Sequence, residues 1–282
     1  MTTLLAGNVH QQLNDDRYLG SDSKENCDQC AENSWWRRRW GDVDITYVLN
    51  SDGYRTKEFD EIDWENSVVL IGDSNSVGVG VPVEQTVSAI LEERINRPVI
   101  NLSVAGSSNM FIMYNTARLL EQHTPYAVIN IWSAPARIMT FADGAVTHWA
   151  WKKSREPELS LDGSLLSILE SWRYNKATCR TKQEFKYNEQ LRQLRKPPEW
   201  LAEYNTERHS HEVKRACRLM CKGMRHLEYV PSFWKQDGNE TSLPMPASVN
   251  QTSRDCLHPN GAFFRKWVDA IEEDFNKNDW LD

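Results

Sequence analysis

Three residues of this chain, Ser74, Asp255 and His258, have the types and spacing that nucleophilic catalysis requires. Ser74 follows a Gly-Asp pair and, before it, the apolar run 67–71. In the Asp-x-x-His motif at 255–258, the carboxylate can reach one imidazole nitrogen and leave the other free to take a proton from a serine hydroxyl. Such a set supports acyl transfer through a serine nucleophile.

The elements around Ser74 must hold its hydroxyl where a substrate can reach it. The run 67–71 predicts a short buried strand because it is rich in β-branched residues, is uncharged and ends at a glycine. A serine just after such a strand lies in a strand-to-helix turn at the carboxyl edge of a sheet, where α/β proteins place their sites. The N–H groups that begin the next helix favour negative charge at the same place.

Strand and helix patterns alternate along the rest of the chain. Strands are predicted at 67–71, 98–102, 127–132 and 227–230, and helices at about 82–96, 109–122, 211–224 and 261–271. The alternation indicates a parallel sheet with right-handed crossovers. We therefore predict an α/β fold, a three-layer α/β/α sandwich of the flavodoxin-like type around a central parallel sheet.

Residues 1–60 are predicted to precede the α/β domain as an N-terminal arm and an edge hairpin. The start of the arm is polar and patternless, and the arm is a candidate oligomer contact. The segment 44–50 alternates like a strand and leads into a Ser-Asp-Gly turn. Residues 61–282 form the α/β domain, with a mainly helical insertion at about 140–225 that contains a predicted helix at 164–172.

The motifs resemble those of the SGNH (GDSL-type) hydrolase family. The Gly-Asp-Ser block of that family matches residues 72–74, and its Asp-x-x-His block matches Asp255 and His258. The glycine that follows the second strand in the family matches Gly106. The third block, Gly-x-Asn-Asp after the third strand, is absent, and Ser-Ala-Pro-Ala-Arg stands at 133–137 instead. The leader ahead of the first strand is similar to that of bacterial and phage-type members.

The resemblance implies that the backbone N–H groups of Ser74 and Gly106 hold the oxyanion of the reaction. The third donor in the family is the asparagine of the missing block. Asn109, just after the Gly106 loop, is the candidate replacement, and Asn75 and Arg137 are weaker ones. Because the loss of one donor typically lowers the rate by about 10²–10³-fold, three alternatives stay open: a slow enzyme, a relocated donor, or a binding protein without activity.

The leading hypothesis is a serine esterase that hydrolyses a small acyl ester through an acyl-enzyme. The resemblance implies an acetyl group on carbohydrate as the substrate, and no cofactor is expected. Two alternatives share the fold: a binding or structural module that has lost activity, and an O-acyltransferase that uses a sugar hydroxyl in place of water. Nucleotide binding by the glycines at 72–80 is not predicted, because the Gly-Lys-Ser/Thr ending of a phosphate-binding loop and the third glycine of a dinucleotide site are missing.

The composition of the 282 residues narrows the choice of partners. A formal net charge of −7 does not favour binding to nucleic-acid phosphates or anionic membranes. No run approaches the ~20 apolar residues of a membrane span, and the first residues lack the basic and apolar regions of a secretory signal. We expect a small acyl ester or acetylated glycan as the partner, and a protein made in the cytoplasm with reduced thiols, or carried in the virion if phage-encoded.

Two further motifs have both a functional and a structural interpretation. The Cys-x-x-Cys pair at 27–30 and the Cys-x-x-x-Cys pair at 217–221 offer four thiolates to a zinc ion. No pattern brings the pairs together, so we predict ordinary buried or free cysteines and no metal. The basic aromatic cluster at 35–40 can stack on a ligand or pack on the main domain as a strap. We favour the strap.

Overall fold

The structure of the protein is a computed structural model that describes residues 15–135, 137–142, 145–150, 206–232, 240–248 and 251–281. The helix predicted at 164–172 lies outside these residues. The strands of the described part are β1 (Val68–Ile71), β2 (Val99–Asn101), β3 (Ala127–Ile131), β4 (Arg137–Ala142), β5 (Ala145–Ala150), β6 (His226–Pro231) and β7 (Thr241–Leu243).

Five of these strands form one parallel sheet in the order β2-β1-β3-β6-β7. The remaining two, β4 and β5, pair with each other in an antiparallel hairpin. Strands that are covered on both faces need nearly continuous apolar residues. The sequences of β1 (Val-Val-Leu-Ile) and β3 (Ala-Val-Ile-Asn-Ile) meet this need, and every residue in them is buried.

Helices cover both faces of the parallel sheet. They are α1 (Lys24–Cys30), α2 (Ser34–Trp40), α3 (Ser74–Val77), α4 (Val87–Ile95), α5 (Asn109–Gln122), α6 (Thr206–Met220) and α7 (Gly261–Lys277). The helices α4 and α7 pack on each other in one layer, and α5 and α6 do so in the other. The predicted three-layer α/β/α sandwich is therefore confirmed. Among the described residues, no helix combines the length and the apolar composition that crossing a bilayer requires.

The alternation of side chains along β1 divides the core into two apolar clusters. Val68 and Leu70 belong to the cluster that includes α4 and α7, which we call the α4–α7 cluster. Val69 and Ile71 belong to the cluster that includes α5 and α6, the α5–α6 cluster. Since successive strand residues point to opposite faces, one short strand anchors both helical layers.

The edge hairpin predicted within residues 1–60 is wrong. The segment 44–50, all of which the structure describes, contains no strand. Its alternation arises because Ile45 and Tyr47 are buried in a small apolar cluster with Val77 of α3, whereas the residues on either side of each are not buried. Burial of every second side chain in this cluster therefore produces a strand-like pattern without a β-ladder.

The insertion predicted at about 140–225 differs from the structure at both ends. Its first residues belong to the β4–β5 hairpin, which begins at Arg137. Its last residues form α6, which packs on α5 and buries Val213 and Cys217. Residues 206–220 thus belong to the sandwich itself, because they cover the sheet. The intervening residues 151–205 lie outside the described part.

The N-terminal segment is folded against the α/β domain from residue 15 onwards. Trp36 and Trp40 of α2 are buried in the α4–α7 cluster, and Trp36 Nε1 donates a hydrogen bond to Arg254 O (2.6 Å). The Arg39 guanidinium lies over the Trp40 ring, 5.4 Å from its centroid. The predicted tryptophan strap is therefore confirmed. An oligomer contact through this segment stays a prediction.

The two cysteine pairs lie in different layers of the sandwich. Cys27 and Cys30 belong to the α4–α7 cluster, and Cys217 and Cys221 belong to the α5–α6 cluster. Because the sheet separates the layers, the two pairs cannot share one metal ion. All four thiols are buried and form no disulfide, in agreement with the predicted buried cysteines.

One buried ion pair fastens α6 to the segment before β7. Lys214 Nζ lies 2.6 Å from Glu240 Oε1, and both side chains are buried. Removal of Lys214 deprives the buried Glu240 carboxylate of this ion pair. We therefore expect Lys214→Met to lower the free energy of unfolding by about 3–5 kcal/mol in urea denaturation.

The neighbouring Arg215 provides the control for this prediction. Its ion pair with Glu212 spans 3.9 Å between two exposed side chains. We expect Arg215→Ala to change the free energy of unfolding by less than about 0.5 kcal/mol. A Lys214→Met protein as stable as Arg215→Ala would show that the buried pair does not hold α6.

Candidate active site

Ser74 is the first residue of α3, directly after the turn that leaves β1. Asp73 caps this helix, since its Oδ1 accepts hydrogen bonds from Asn75 N (3.0 Å) and Asn75 Nδ2 (2.9 Å). Gly72 makes the turn possible, because a Cβ at this position would collide with Ser76 Oγ. The turn therefore holds Ser74 at the carboxyl end of β1.

A close contact with Gly80 holds the loop that carries Asp255 and His258. Arg254 N donates to Gly80 O (2.9 Å), and a Cβ on Gly80 would lie 2.5 Å from Ser253 Oγ. The φ of Gly80 is also +78°, in the left-handed region that favours glycine. The backbone after α3 and the loop that carries Asp255 and His258 thus approach more closely than a side chain at position 80 would allow.

Ser74, His258 and Asp255 form a continuous chain of hydrogen bonds. His258 Nε2 lies 2.7 Å from Ser74 Oγ, and His258 Nδ1 lies 2.5 Å from Asp255 Oδ2. Ser74 is 5% exposed, His258 is 7% exposed, and Asp255 is fully buried. The structure thus brings together the three residues predicted as catalytic, in the geometry of a nucleophile, a general base and an acid that orients the base.

The two titratable groups of this chain shift each other's pKa. Burial disfavours the charged imidazolium of His258. The attraction and the hydrogen bond of the Asp255 carboxylate, with a smaller attraction to Asp73, together outweigh burial and raise the pKa of His258 above its ordinary value. Burial likewise disfavours the Asp255 carboxylate. The charge of His258 and hydrogen bonds from Ser21 and Ser253 nevertheless hold the pKa of Asp255 well below its usual range. In this pair Asp255 is therefore held as a carboxylate, and the neighbouring imidazole of His258 gains a proton readily.

The loop after β2 lies against the Ser74 turn. Gly72 O accepts hydrogen bonds from Val104 N (3.1 Å) and Ser107 Oγ (2.9 Å), and Gly106 lies between these two residues with a φ of +80°. Within the described part of the chain, no hydrogen-bond partner engages the backbone N–H of Ser74 or Gly106. Both groups are free to donate to a ligand, and their role in holding an oxyanion stays a prediction.

Comparisons with known proteins find similarity only among solved structures. No protein-family model and no curated protein sequence matches this chain. The psychrotrophic esterase EstA from Pseudoalteromonas sp. is 14% identical, with 75% of this chain and 99% of that chain aligned at a TM-score of 0.41. TesA is 11% identical, with 74% and 97% aligned at a TM-score of 0.41. The acetyl xylan esterase Est2A from Butyrivibrio proteoclasticus is 9% identical, with 78% and 66% aligned at a TM-score of 0.41.

The order in which the site segments leave the sheet is the one that the sequence predicts. β1 leads into the Ser74 turn, β2 leads into the Gly106 loop, and the loop with Asp255 and His258 precedes α7. The three segments meet at the carboxyl edge of a parallel sheet with helices on both faces. This arrangement agrees with the α/β/α fold class that the sequence predicts.

Asn109, the candidate third oxyanion donor, already has partners. Its Nδ2 donates to Ser210 Oγ (2.7 Å), and its Oδ1 accepts from Ser133 N (2.7 Å). Asn109 therefore ties the start of α5 to α6 and to the segment after β3. Since Ser210 uses one N–H of the carboxamide, an oxyanion role of Asn109 stays a prediction that relies on the second N–H.

The segment that replaces the third SGNH block is attached to Asp73. Ser133 Oγ (3.1 Å) and Arg137 Nη1 (3.0 Å) both donate to Asp73 Oδ2. Arg137 Nη1 also donates to Ser107 O (3.2 Å), and Asn75 Nδ2 donates to Asp73 as well. Asn75 and Arg137, the two weaker donor candidates, thus support the Ser74 turn through their hydrogen bonds to Asp73.

The N-terminal segment supports the loop that carries Asp255 and His258. The sequence patterns do not predict this support. Ser21 Oγ donates to Asp255 Oδ2 (2.5 Å), and Asn26 Nδ2 donates to Asp255 O (2.7 Å). Asp22 Oδ2 accepts from Arg254 Nη2 (2.7 Å). These partners are 229 to 234 positions apart in the sequence. No local periodicity or motif predicts contacts between residues so far apart in the sequence.

Proposed function

We propose that the chain is a serine esterase that hydrolyses a small acyl ester through an acyl-enzyme intermediate. The proposal rests on one observation, the hydrogen-bonded chain from the Ser74 hydroxyl through His258 to the buried Asp255 carboxylate. A serine that only capped a helix would need neither a histidine on its hydroxyl nor a buried carboxylate behind that histidine.

The geometry supports the following reaction. Ser74 Oγ attacks the ester carbonyl carbon while its proton passes to His258 Nε2, and Asp255 stabilises the resulting imidazolium. The N–H groups of Ser74 and Gly106 hold the oxyanion. The carbon–oxygen bond to the alcohol then breaks, and the alcohol leaves with the proton from His258. Water attacks the acyl-enzyme in the same way, which releases the acid and restores the Ser74 hydroxyl.

The substrate in this proposal is an acetyl ester on carbohydrate. The SGNH resemblance of the sequence implies this class, and the low exposure of Ser74 (5%) favours a short acyl group over a long one. We expect activity on p-nitrophenyl esters to fall from acetate to octanoate. Release of acetate from acetylated xylan, measured against deacetylated xylan, tests the carbohydrate part of the proposal separately.

The first test uses the wild-type protein. We expect it to hydrolyse p-nitrophenyl acetate, and we expect a fluorophosphonate probe to form one adduct that peptide mass spectrometry maps to Ser74. Heat-denatured protein is the control, because a surface nucleophile would still react there. A folded protein that neither turns over the ester nor takes up the probe would refute the esterase proposal.

Ser21 is expected to act as a positioning residue for this reaction. Its hydroxyl shares Asp255 Oδ2 with His258 Nδ1. In Ser21→Ala the carboxylate loses one donor, attracts the imidazolium more strongly and raises the pKa of His258. More of the base is then protonated at neutral pH, and we expect kcat/KM at pH 7 to fall about threefold to tenfold. The pH profile of kcat/KM and an NMR titration of His258 measure the shift.

Ser23, two positions away, is the matched control for Ser21. Its side chain caps α1 by accepting from Asn26 N (3.2 Å). Ser23→Ala should lower the free energy of unfolding by about 1 kcal/mol and leave the pKa of His258 in place. If Ser21→Ala gives the same pH profile as Ser23→Ala, Ser21 contributes only to stability.

A further inference from the structure

We propose that Cys217, Cys221 and His226 form a zinc-binding site, in contrast to the expectation of no metal from the sequence. One ligand atom from each residue lies within 4.8 Å of the other two. Ligands arranged tetrahedrally at Zn–S distances of about 2.3 Å and Zn–N distances of about 2.0–2.1 Å are roughly 3.3–3.8 Å apart. Small side-chain rotations would therefore bring all three atoms onto one ion.

The local fold explains why these three residues converge. Cys217 lies in the last turn of α6, and Cys221 directly follows the helix. Cys221 N donates to Cys217 O (3.0 Å), so the two residues lie one turn apart on the same side. The chain then reverses through Gly223, whose φ of +89° is in the left-handed region, and enters β6 at His226. The helix end also favours a cation, because the last carbonyl groups of a helix carry partial negative charge.

The surroundings of the three residues fit a neutral metal complex. Cys217 and Cys221 are buried, so a divalent ion without compensation would be costly there. Two thiolates cancel the charge of Zn²⁺, and the imidazole adds none. Asn130 Oδ1 lies 2.7 Å from His226 Nε2 and 3.4 Å from Cys217 Sγ. This oxygen can orient the imidazole or serve as the fourth ligand.

The choice of zinc follows from the donor types. Sulfur and imidazole donors together select zinc among the common divalent ions, whereas magnesium and calcium prefer oxygen. The donors lie at the amino end of β6, and Ser74 follows the carboxyl end of β1, which is parallel to β6 in the same sheet. The ion would therefore act as a clamp between α6 and β6 and take no part in the ester chemistry.

The test measures bound metal in the full chain. We expect zinc-incubated and desalted wild-type protein to hold about one zinc per chain, and Cys217→Ser or Cys221→Ser to hold less than about one tenth of that. Cobalt in place of zinc should give the charge-transfer absorption of thiolate ligation. A chelator should lower the melting temperature of the wild type, and zinc should restore it.

Cys27→Ser is the matched control, because Cys27 is a buried thiol in the other helical layer. It should keep the full zinc content. If the two cysteine variants fail to fold, His226→Gln and the cobalt spectrum of the wild type provide the same information. Folded wild-type protein that holds no zinc and gives no cobalt–thiolate band would overturn the proposal, as would zinc that persists without Cys217 and Cys221. A Cys217–Cys221 disulfide, located by peptide mapping of the unreduced protein, would overturn it as well.

Discussion

Ser74→Ala is expected to lower kcat for p-nitrophenyl acetate by about 10⁴-fold or more. The substitution removes the atom that attacks the carbonyl carbon, while the oxyanion donors and the binding site remain. The small activity that is left would come from water acting beside those donors. Fluorophosphonate labelling should disappear in the same variant, and circular dichroism and thermal melting should show a folded protein.

Ser76→Ala is the control for this substitution. Ser76 lies one position beyond Asn75 in the same short helix and is buried, and within the described part of the chain its Oγ has no hydrogen-bond partner. Removal of an unpaired hydroxyl leaves the catalytic hydrogen bonds intact, so activity and labelling should match those of the wild type. An equal loss of activity in both variants would indicate damage to the turn, and unchanged activity in Ser74→Ala would exclude Ser74 as the nucleophile.

Asp255→Asn is expected to lower kcat by about 10⁴-fold, because a carboxamide holds the wrong tautomer of the histidine. It should also move the pH profile. In the wild type the pKa of His258 is raised by Asp255, so kcat/KM should rise with pH through a value above the ordinary ~6.5 of histidine. In the variant the attraction is lost and burial remains. The residual activity should therefore reach its plateau at a lower pH than in the wild type.

The difference in unfolding free energy between the wild type and Asp255→Asn should depend on pH. The pKa of Asp255 is lower in the folded chain than in the unfolded chain, so its contribution to stability is present above the unfolded pKa of about 3.9 and is lost as the pH falls. The difference in unfolding free energy between wild type and Asp255→Asn should shrink below about pH 4. Asp22→Asn is the control, since it removes another buried carboxylate that bonds Arg254 and Tyr47. If both variants move the activity profile equally, Asp255 does not act through His258.

The sequence predicts those parts of the molecule that depend on near neighbours in the chain. The apolar run before Ser74 is itself a strand, and the turn after it needs only Gly72 and a helix cap from Asp73. The spacing from Asp255 to His258 is likewise a local property. For these reasons the fold class and the three residues of the hydrogen-bonded chain follow from short motifs.

The predictions fail where a pattern has two physical causes. Residues 44–50 alternate because Ile45 and Tyr47 are buried in a small apolar cluster with Val77 of α3. Alternation alone does not reveal whether backbone groups pair with another strand. Asn109 carries a donor of the right type, but its partners Ser210 and Ser133 come from distant segments. Side-chain partners at such separations are fixed by the assembled fold, which no single stretch of sequence encodes.

The contact between Ser21 and Asp255 joins residues 234 positions apart, so it cannot form until both residues have been synthesised. The N-terminal segment leaves the ribosome early and must remain without its partner until the catalytic loop has been synthesised. Contacts between residues so far apart in the sequence form late and slowly in folding. If the proposed esterase mechanism holds, a nascent chain should therefore not gain hydrolytic activity gradually during translation. Activity should arise in one step after residue 258 has emerged, so ribosome-bound chains stalled before that point would be inert towards every ester.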